Sequence, residues 1–147
     1  EIRVQEAAFD AGVELNRLQA SLVQVGAVVS YSGIVRNTST RDLEAMEIEH
    51  YPGMTERALG TFADQAQTRW KLANVLVIHR YGRLVPEEPI MMVATAAAHR
   101  KAAFEAADFL MDYLKSRAPF WKKEISNSGS DWVAAKDEDE AALRDWR

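Results

Sequence analysis

"NVLVIHRYGRLVPEEPIMMVATAAA", residues 74–98, decides the fold. Asn74 to Gly82 is nearly continuous in apolar residues, and so is Ile90 to Ala98. A strand that is apolar at almost every position is covered on both faces, which places it centrally in a sheet. "VPEEP", residues 85–89, reads as a turn, so the two strands follow one another without a crossover helix. Beyond them "HRKAAFEAADFLMDYLKSR", residues 99–117, is the strongest helix of the chain, with Phe104, Ala107, Met111 and Leu114 as its apolar stripe. Pro119 biases Ala118 away from helical geometry, so this helix is expected to stop near Arg117. "FWKKEIS" and "DWVAA" read as two short strands joined by "NSGS", and "DEDEAALRDW" as an acidic terminal helix.

Upstream, "IRVQ" is a short strand, and "DAGVELNRLQASL" a helix capped by Asp10 with Leu15, Leu18 and Leu22 at helical spacing. "GAVVSYSGIVR" is rich in β-branched residues and reads as a strand ending near Arg36, followed by the polar loop "NTSTRD", residues 37–42. "LEAMEIEHY" alternates, with Met46, Ile48 and His50 on one face and Glu47, Glu49 and Tyr51 on the other. "PGMTERALGTFADQAQTRW" sets Leu59, Phe62, Ala66 and Trp70 on one helical stripe. The expected class is α+β, with mostly antiparallel sheets and interleaved helices rather than a doubly wound sheet, and residues 1–147 forming a single domain.

The net charge is −4, yet the window from Lys115 to Lys123 carries +4 through Lys115, Arg117, Lys122 and Lys123, leaving the remainder at −8. Broad adhesion to nucleic acid needs a wide basic face, which such a chain lacks. A concentrated positive site on an acidic body suits a small anionic ligand. No run of about 18 apolar residues exists to span a membrane. "EIRVQEAAFD" is too acidic for a signal peptide and reads as the start of a trimmed or mature chain, placing the protein in the cytoplasm. The absence of cysteine excludes disulfides, thiolate metal sites, a cysteine nucleophile and a persulfide carried by this chain. His50, His79 and His99 lack metal-ligand spacing, and no metal or other cofactor is expected.

The candidate chemistry lies on the long helix and the segment after it. At about 100° per residue with Phe104 at zero, Lys115 falls near +20°, at the edge of the apolar stripe. Burial there, with Lys122 and Lys123 close by, favours a neutral amine, whereas the helix C-terminus and Asp112 favour the ammonium. The pattern leaves that balance open, as it leaves open a Lys115 that merely decorates the last turn. His99 and Arg100 stand at the helix N-terminus, where free N–H groups offer an anion site; a surface pair fits the spacing equally well. Arg36, at a strand end beside the polar loop, is a third candidate cation. His50, His79 and Arg80 read as structural, and Gly33, Gly53 and Gly82 form no phosphate-cradling pattern.

"EHYPGMTERAL", "VIHRYG", "AHRKAAFEAADFLMDYLKSRAPFWKKE" and "DWVAAKDEDE", in this order, resemble the large subunit of molybdopterin synthase. The likeness runs from about Val28 to Trp146. It implies an α/β-hammerhead-like fold and a sulfurtransferase that converts cyclic pyranopterin monophosphate to molybdopterin. The two sulfurs would come from the thiocarboxylated C-terminal Gly-Gly of a small ubiquitin-like subunit, in a heterotetramer built on a homodimer of large subunits. By the same resemblance Lys115 and Lys122 match the catalytic lysines. Ile34, Val35, Arg36, His99, Arg100, Lys123 and Glu124 match substrate-binding positions, together with the two lysines. Phe120 and Trp121 would pack beside the pocket. Lys136 matches a position supplied by the neighbouring protomer, where relatives often carry arginine; lysine keeps the charge without bidentate phosphate geometry. A noncatalytic module that binds a phosphorylated ligand or a protein tail would need the same cations without turnover.

Overall fold

The computed structural model describes residues 1–127, 129–133 and 137–146. In chain order the elements are β1 (Ile2–Gln5), α1 (Ala11–Ala20), β2 (Ala27–Ile34), β3 (Leu43–His50), α2 (Met54–Trp70), β4 (Asn74–Arg80), β5 (Gly82–Leu84), β6 (Pro89–Ala97), α3 (Arg100–Ser116), β7 (Phe120–Ser126), β8 (Gly129–Trp132) and α4 (Asp137–Leu143), closed by a 3-10 turn at Arg144–Trp146. They build two four-stranded sheets, ordered β1-β4-β6-β2 and β5-β3-β7-β8. Among the described residues only the β1–β4 pair is parallel and the other pairs are antiparallel, which gives the α+β class.

The apolar hairpin is the middle of the first sheet. Val77 of β4 stands opposite Val93 of β6, and Ile78 opposite Met92. Strand alternation then sends Leu76, Ile78, Met92 and Ala94 to one face, where Leu18 of α1 covers them. Val75, Val77, Met91 and Val93 go to the other face, into the larger core formed with α2, α3 and the second sheet. Asp10 caps α1 as expected, its carboxylate accepting from the Val13 N–H at 3.0 Å.

Three expectations shift. The second strand ends at Ile34, two residues before Arg36, because the pairing with β6 slips at Gly33/Ile34 and the Val35 N–H turns to the Glu88 carbonyl at 2.9 Å. The apolar strand expected to run to Gly82 ends at Arg80, and Gly82–Leu84 forms a separate short strand that pairs with β3. The largest shift concerns α3. Its fully covered face carries Ala103, Ala106, Phe109 and Leu110, whereas Phe104 is 62% exposed. The helix bears two apolar stripes, and periodicity alone does not say which one meets the core. Three-atom side chains are not needed at the contact: Ala103 and Ala106 let the helix approach the sheet, while Phe109 packs edge-on against Trp70 at 5.1 Å.

The start of α3 is held by a close backbone approach. A Cβ on Gly26 would lie 2.3 Å from the Ala98 carbonyl oxygen, so only glycine fits where the Gly26 N–H bonds Ala97 at 3.1 Å. Its far half is clamped by the C-terminal segment. Trp146 packs on Trp70 and Phe109, its indole N–H donates to Asp112 at 2.6 Å, and Arg117 pairs with Glu140.

Candidate active site

Lys115 ends α3 and Lys122 lies in β7, and the seven-residue step between them is fixed at several points. The Arg117 and Ala118 N–H groups both bond the Tyr113 carbonyl, at 2.7 and 3.2 Å, which terminates the helix. The fully buried Thr55 hydroxyl donates to the Pro119 carbonyl at 3.1 Å and accepts from the Tyr51 N–H at 2.9 Å, tying the start of α2 to the start of β7. Antiparallel pairing then sets Lys122 opposite Ile48 and Phe120 opposite His50.

The result is a cleft of about 100 Å³ lined by both lysines, smaller than the usual range for ligand pockets. Met111 and Leu114 form one wall and Ile34 and Met91 another, with Gly33 leaving room between them. So the second apolar stripe of α3 is the wall of a cavity rather than part of the core. Tyr31, Met111 and Lys115 also border an adjoining groove of about 450 Å³, which Phe104, Asp112 and Asp139 line as well.

The buried amine is that of Lys122 rather than that of Lys115, which the helical wheel set at the edge of the apolar stripe. Lys115 is exposed at the cleft mouth. Burial pushes the Lys122 ammonium down to about 8, the Lys115 charge adds to this, and Asp139 opposes it. An amine with that proton affinity exchanges protons near neutral pH. Asp139 comes from the acidic terminal helix, which the sequence reading connected with no site.

His79, read from sequence as structural, also lines this cleft while only 4% exposed. Its ring stacks on Phe120 at 3.7 Å, and its Nδ1 lies 2.8 Å from the Arg80 carbonyl oxygen. The periodic signal could not find it, because the apolar strand that buries it says nothing of what opens beside its ring. Arg80 is structural as expected, its guanidinium reaching Glu88 at 2.9 Å and the Glu6 and Pro89 carbonyls. His50 stacks on Tyr81 at 4.2 Å.

The remaining expected residues are not gathered into this cleft. Val35 is 1% exposed, in the core. Arg36 is exposed just beyond β2. Lys123 points to the opposite face of β7 from Lys122, with its ammonium 5.3 Å from the Trp132 ring centre, and Glu124 is the next residue along the strand. His99 and Arg100 are exposed at the N-terminus of α3. Fifteen residues separate Arg100 from Lys115, roughly 22 Å along a helix axis. Lys136 lies outside the described residues. Among the described residues no cluster of three metal-ligating side chains occurs, and no helix is long and apolar enough to cross a membrane.

Residues 4–117 match the family model described as "MoaE protein". The chain is 61% identical to the molybdopterin synthase catalytic subunit of Cereibacter sphaeroides, over 99% of both chains. The molybdopterin biosynthesis MoaE protein from Burkholderia ambifaria superposes with a TM-score of 0.85 at 48% identity, covering 99% of this chain and 96% of that one. A complex of subunits 1 and 2 of molybdopterin-converting factor from Helicobacter pylori contains a chain with the same fold, with a TM-score of 0.76 at 18% identity, covering 92% of this chain and 90% of that one.

Proposed function

This chain belongs to the MoaE protein family, and on that premise we propose that it is the catalytic subunit of molybdopterin synthase, acting in molybdenum cofactor biosynthesis in the cytoplasm. Its reaction inserts two sulfurs, as a dithiolene, into cyclic pyranopterin monophosphate. The donor is the thiocarboxylated Gly-Gly terminus of a small ubiquitin-like partner subunit. The observation that carries this reading is the pair Lys115 and Lys122 in one half-apolar cleft on an otherwise acidic chain. Two anions, a cyclic phosphate and a thiocarboxylate, have to meet there, and a chain without cysteine has to receive its sulfur from outside.

The two lysines divide the work by their surroundings. Lys115, at the open mouth, meets the incoming anions and stabilises charge as the thiocarboxylate attacks. Lys122, held near 8 by burial, moves protons during attack and during hydrolysis of the acyl intermediate that joins substrate to the partner's tail. Met111, Leu114 and Ile34 give the pterin an apolar seat. In this reading Arg36, which follows the cleft residue Ile34 by two positions, and Lys123 and Glu124, which follow Lys122 along β7, would extend the binding segment outward from the cleft.

The roughly 22 Å between Arg100 and Lys115 is too long for one small substrate to bridge. In our reading the protein is a homodimer in which His99, Arg100 and Lys136 serve the neighbouring protomer's cleft, with one small subunit on each large one. The test is reconstitution. Mixing this protein with a thiocarboxylated small subunit and the cyclic precursor yields the pterin dithiolene. Tight binding of precursor and partner without product would leave the noncatalytic module instead.

A further inference from the structure

One polar side chain in the cleft has no part in that mechanism. His79 sits in β4 beside Lys115 and Lys122, buried except for the edge that lines the cleft. The Arg80 carbonyl can only accept, so the hydrogen is on Nδ1 and Nε2 carries a bare lone pair. Among the described residues Nε2 has no hydrogen-bond partner. The ring cannot turn to find one, because Phe120 lies flat against it, 17° from parallel. Nε2 is therefore an acceptor open to the cleft, where water or a ligand's donor group can satisfy it. Lysine ammonium groups only donate, so the cleft otherwise recognises acceptors such as phosphate and carboxylate oxygens. It lacks a fixed acceptor for a donor group, and His79 supplies one.

We infer that His79 is a substrate-contacting residue whose Nε2 accepts a hydrogen bond from a ring N–H or hydroxyl of the bound pterin, so that it selects the heterocycle while the lysines select the anions. This rests on the pterin reading above. The imidazole keeps its lone pair at every working pH. Burial pushes it down to about 3, against the pull of the Arg80 carbonyl, and the positive charges of Lys122 on β7 and Lys115 on α3 and the neighbouring His50 on β3 push the same way.

The test compares His79→Phe, which keeps the ring stack and removes both nitrogens, with His79→Gln, whose amide oxygen can accept again. Calorimetry is run with the cyclic precursor and, as the anion probe, with inorganic phosphate. In His79→Phe precursor binding weakens about five- to tenfold, as for one lost hydrogen bond, phosphate binding stays within about twofold, and KM rises more than kcat falls. His79→Gln recovers part of the loss. A folded His79→Phe protein that binds precursor as the wild type does overturns the inference. If that variant does not fold, imidazole 15N spectra of the wild-type protein decide: precursor moves the Nε2 resonance of His79, and an unmoved resonance overturns the assignment. A wild-type protein that binds and turns over precursor while His79→Phe is unchanged overturns this inference alone; one that does neither overturns the functional reading with it.

Discussion

Lys122 offers the sharpest quantitative check. Its ammonium loses protons near 8 instead of 10.5, so the folded surroundings disfavour the charged form. Burial is the larger cause and the Lys115 charge the smaller. Lys115→Ala therefore lifts Lys122 only part of the way back, because burial, the larger cause, remains. At pH 7 about one wild-type Lys122 in ten is a neutral amine, and the mutation lowers that fraction. Lysines labelled with 13C at Cε report this directly in a titration from pH 6 to 11, with Lys122→Arg identifying the resonance. The same group sets a rate that climbs with pH to a shoulder near 8. A return of Lys122 to about 10.5 in Lys115→Ala would show that charge, not burial, depresses it, and a wild-type value near 10.5 would refute the account of the cleft altogether.

Lys115→Ala abolishes sulfur transfer while circular dichroism and partner binding stay as in the wild type; near-normal turnover would remove Lys115 from the mechanism. Chains carrying Arg100→Ala and chains carrying Lys115→Ala are each inactive alone, yet regain about a quarter of wild-type turnover when mixed so that dimers re-form at random, since half the dimers are mixed and each holds one intact cleft; no recovery would return His99 and Arg100 to their own chain. Thr55→Val costs about 1–3 kcal/mol of stability by urea unfolding, because the Tyr51 N–H and Pro119 carbonyl lose their buried partner. Acid destabilises through His79: its folded value lies below its unfolded 6.5, so the unfolded chain binds the extra proton, and stability complete above about 6.5 falls towards pH 3 by up to about 1.4 kcal/mol per unit. His79→Phe flattens that slope in unfolding curves between pH 4.5 and 7.

The sheet was legible because its central strands are apolar at nearly every position and separated by a turn, a pattern with one structural answer. The lysine pair was legible because four cations crowd nine residues of an acidic chain. Two things were not. Phe104 looked like a core residue because a helical period is blind to which of two apolar stripes meets the sheet; that choice is made by the small residues Ala103 and Ala106, whose value appears only with the partner surface present. The depression of Lys122 was hidden for a similar reason. It depends on a strand pairing with β3 that buries the amine near Lys115, and that pairing is not a local property of "FWKKE".

The two stripes of α3 let one helix answer two separate demands. Ala103, Ala106, Phe109 and Leu110 keep the protein folded, while Met111 and Leu114 shape what the cleft admits. A substitution such as Met111→Leu changes the cavity without opening a hole in the centre of the molecule. One such as Phe109→Leu does the reverse. Ligand preference can therefore drift in this scaffold at little cost in folding, provided the length of the helix is kept. A single inserted residue would rotate Lys115 by about 100° out of the cleft, so the helix is free in composition and fixed in count.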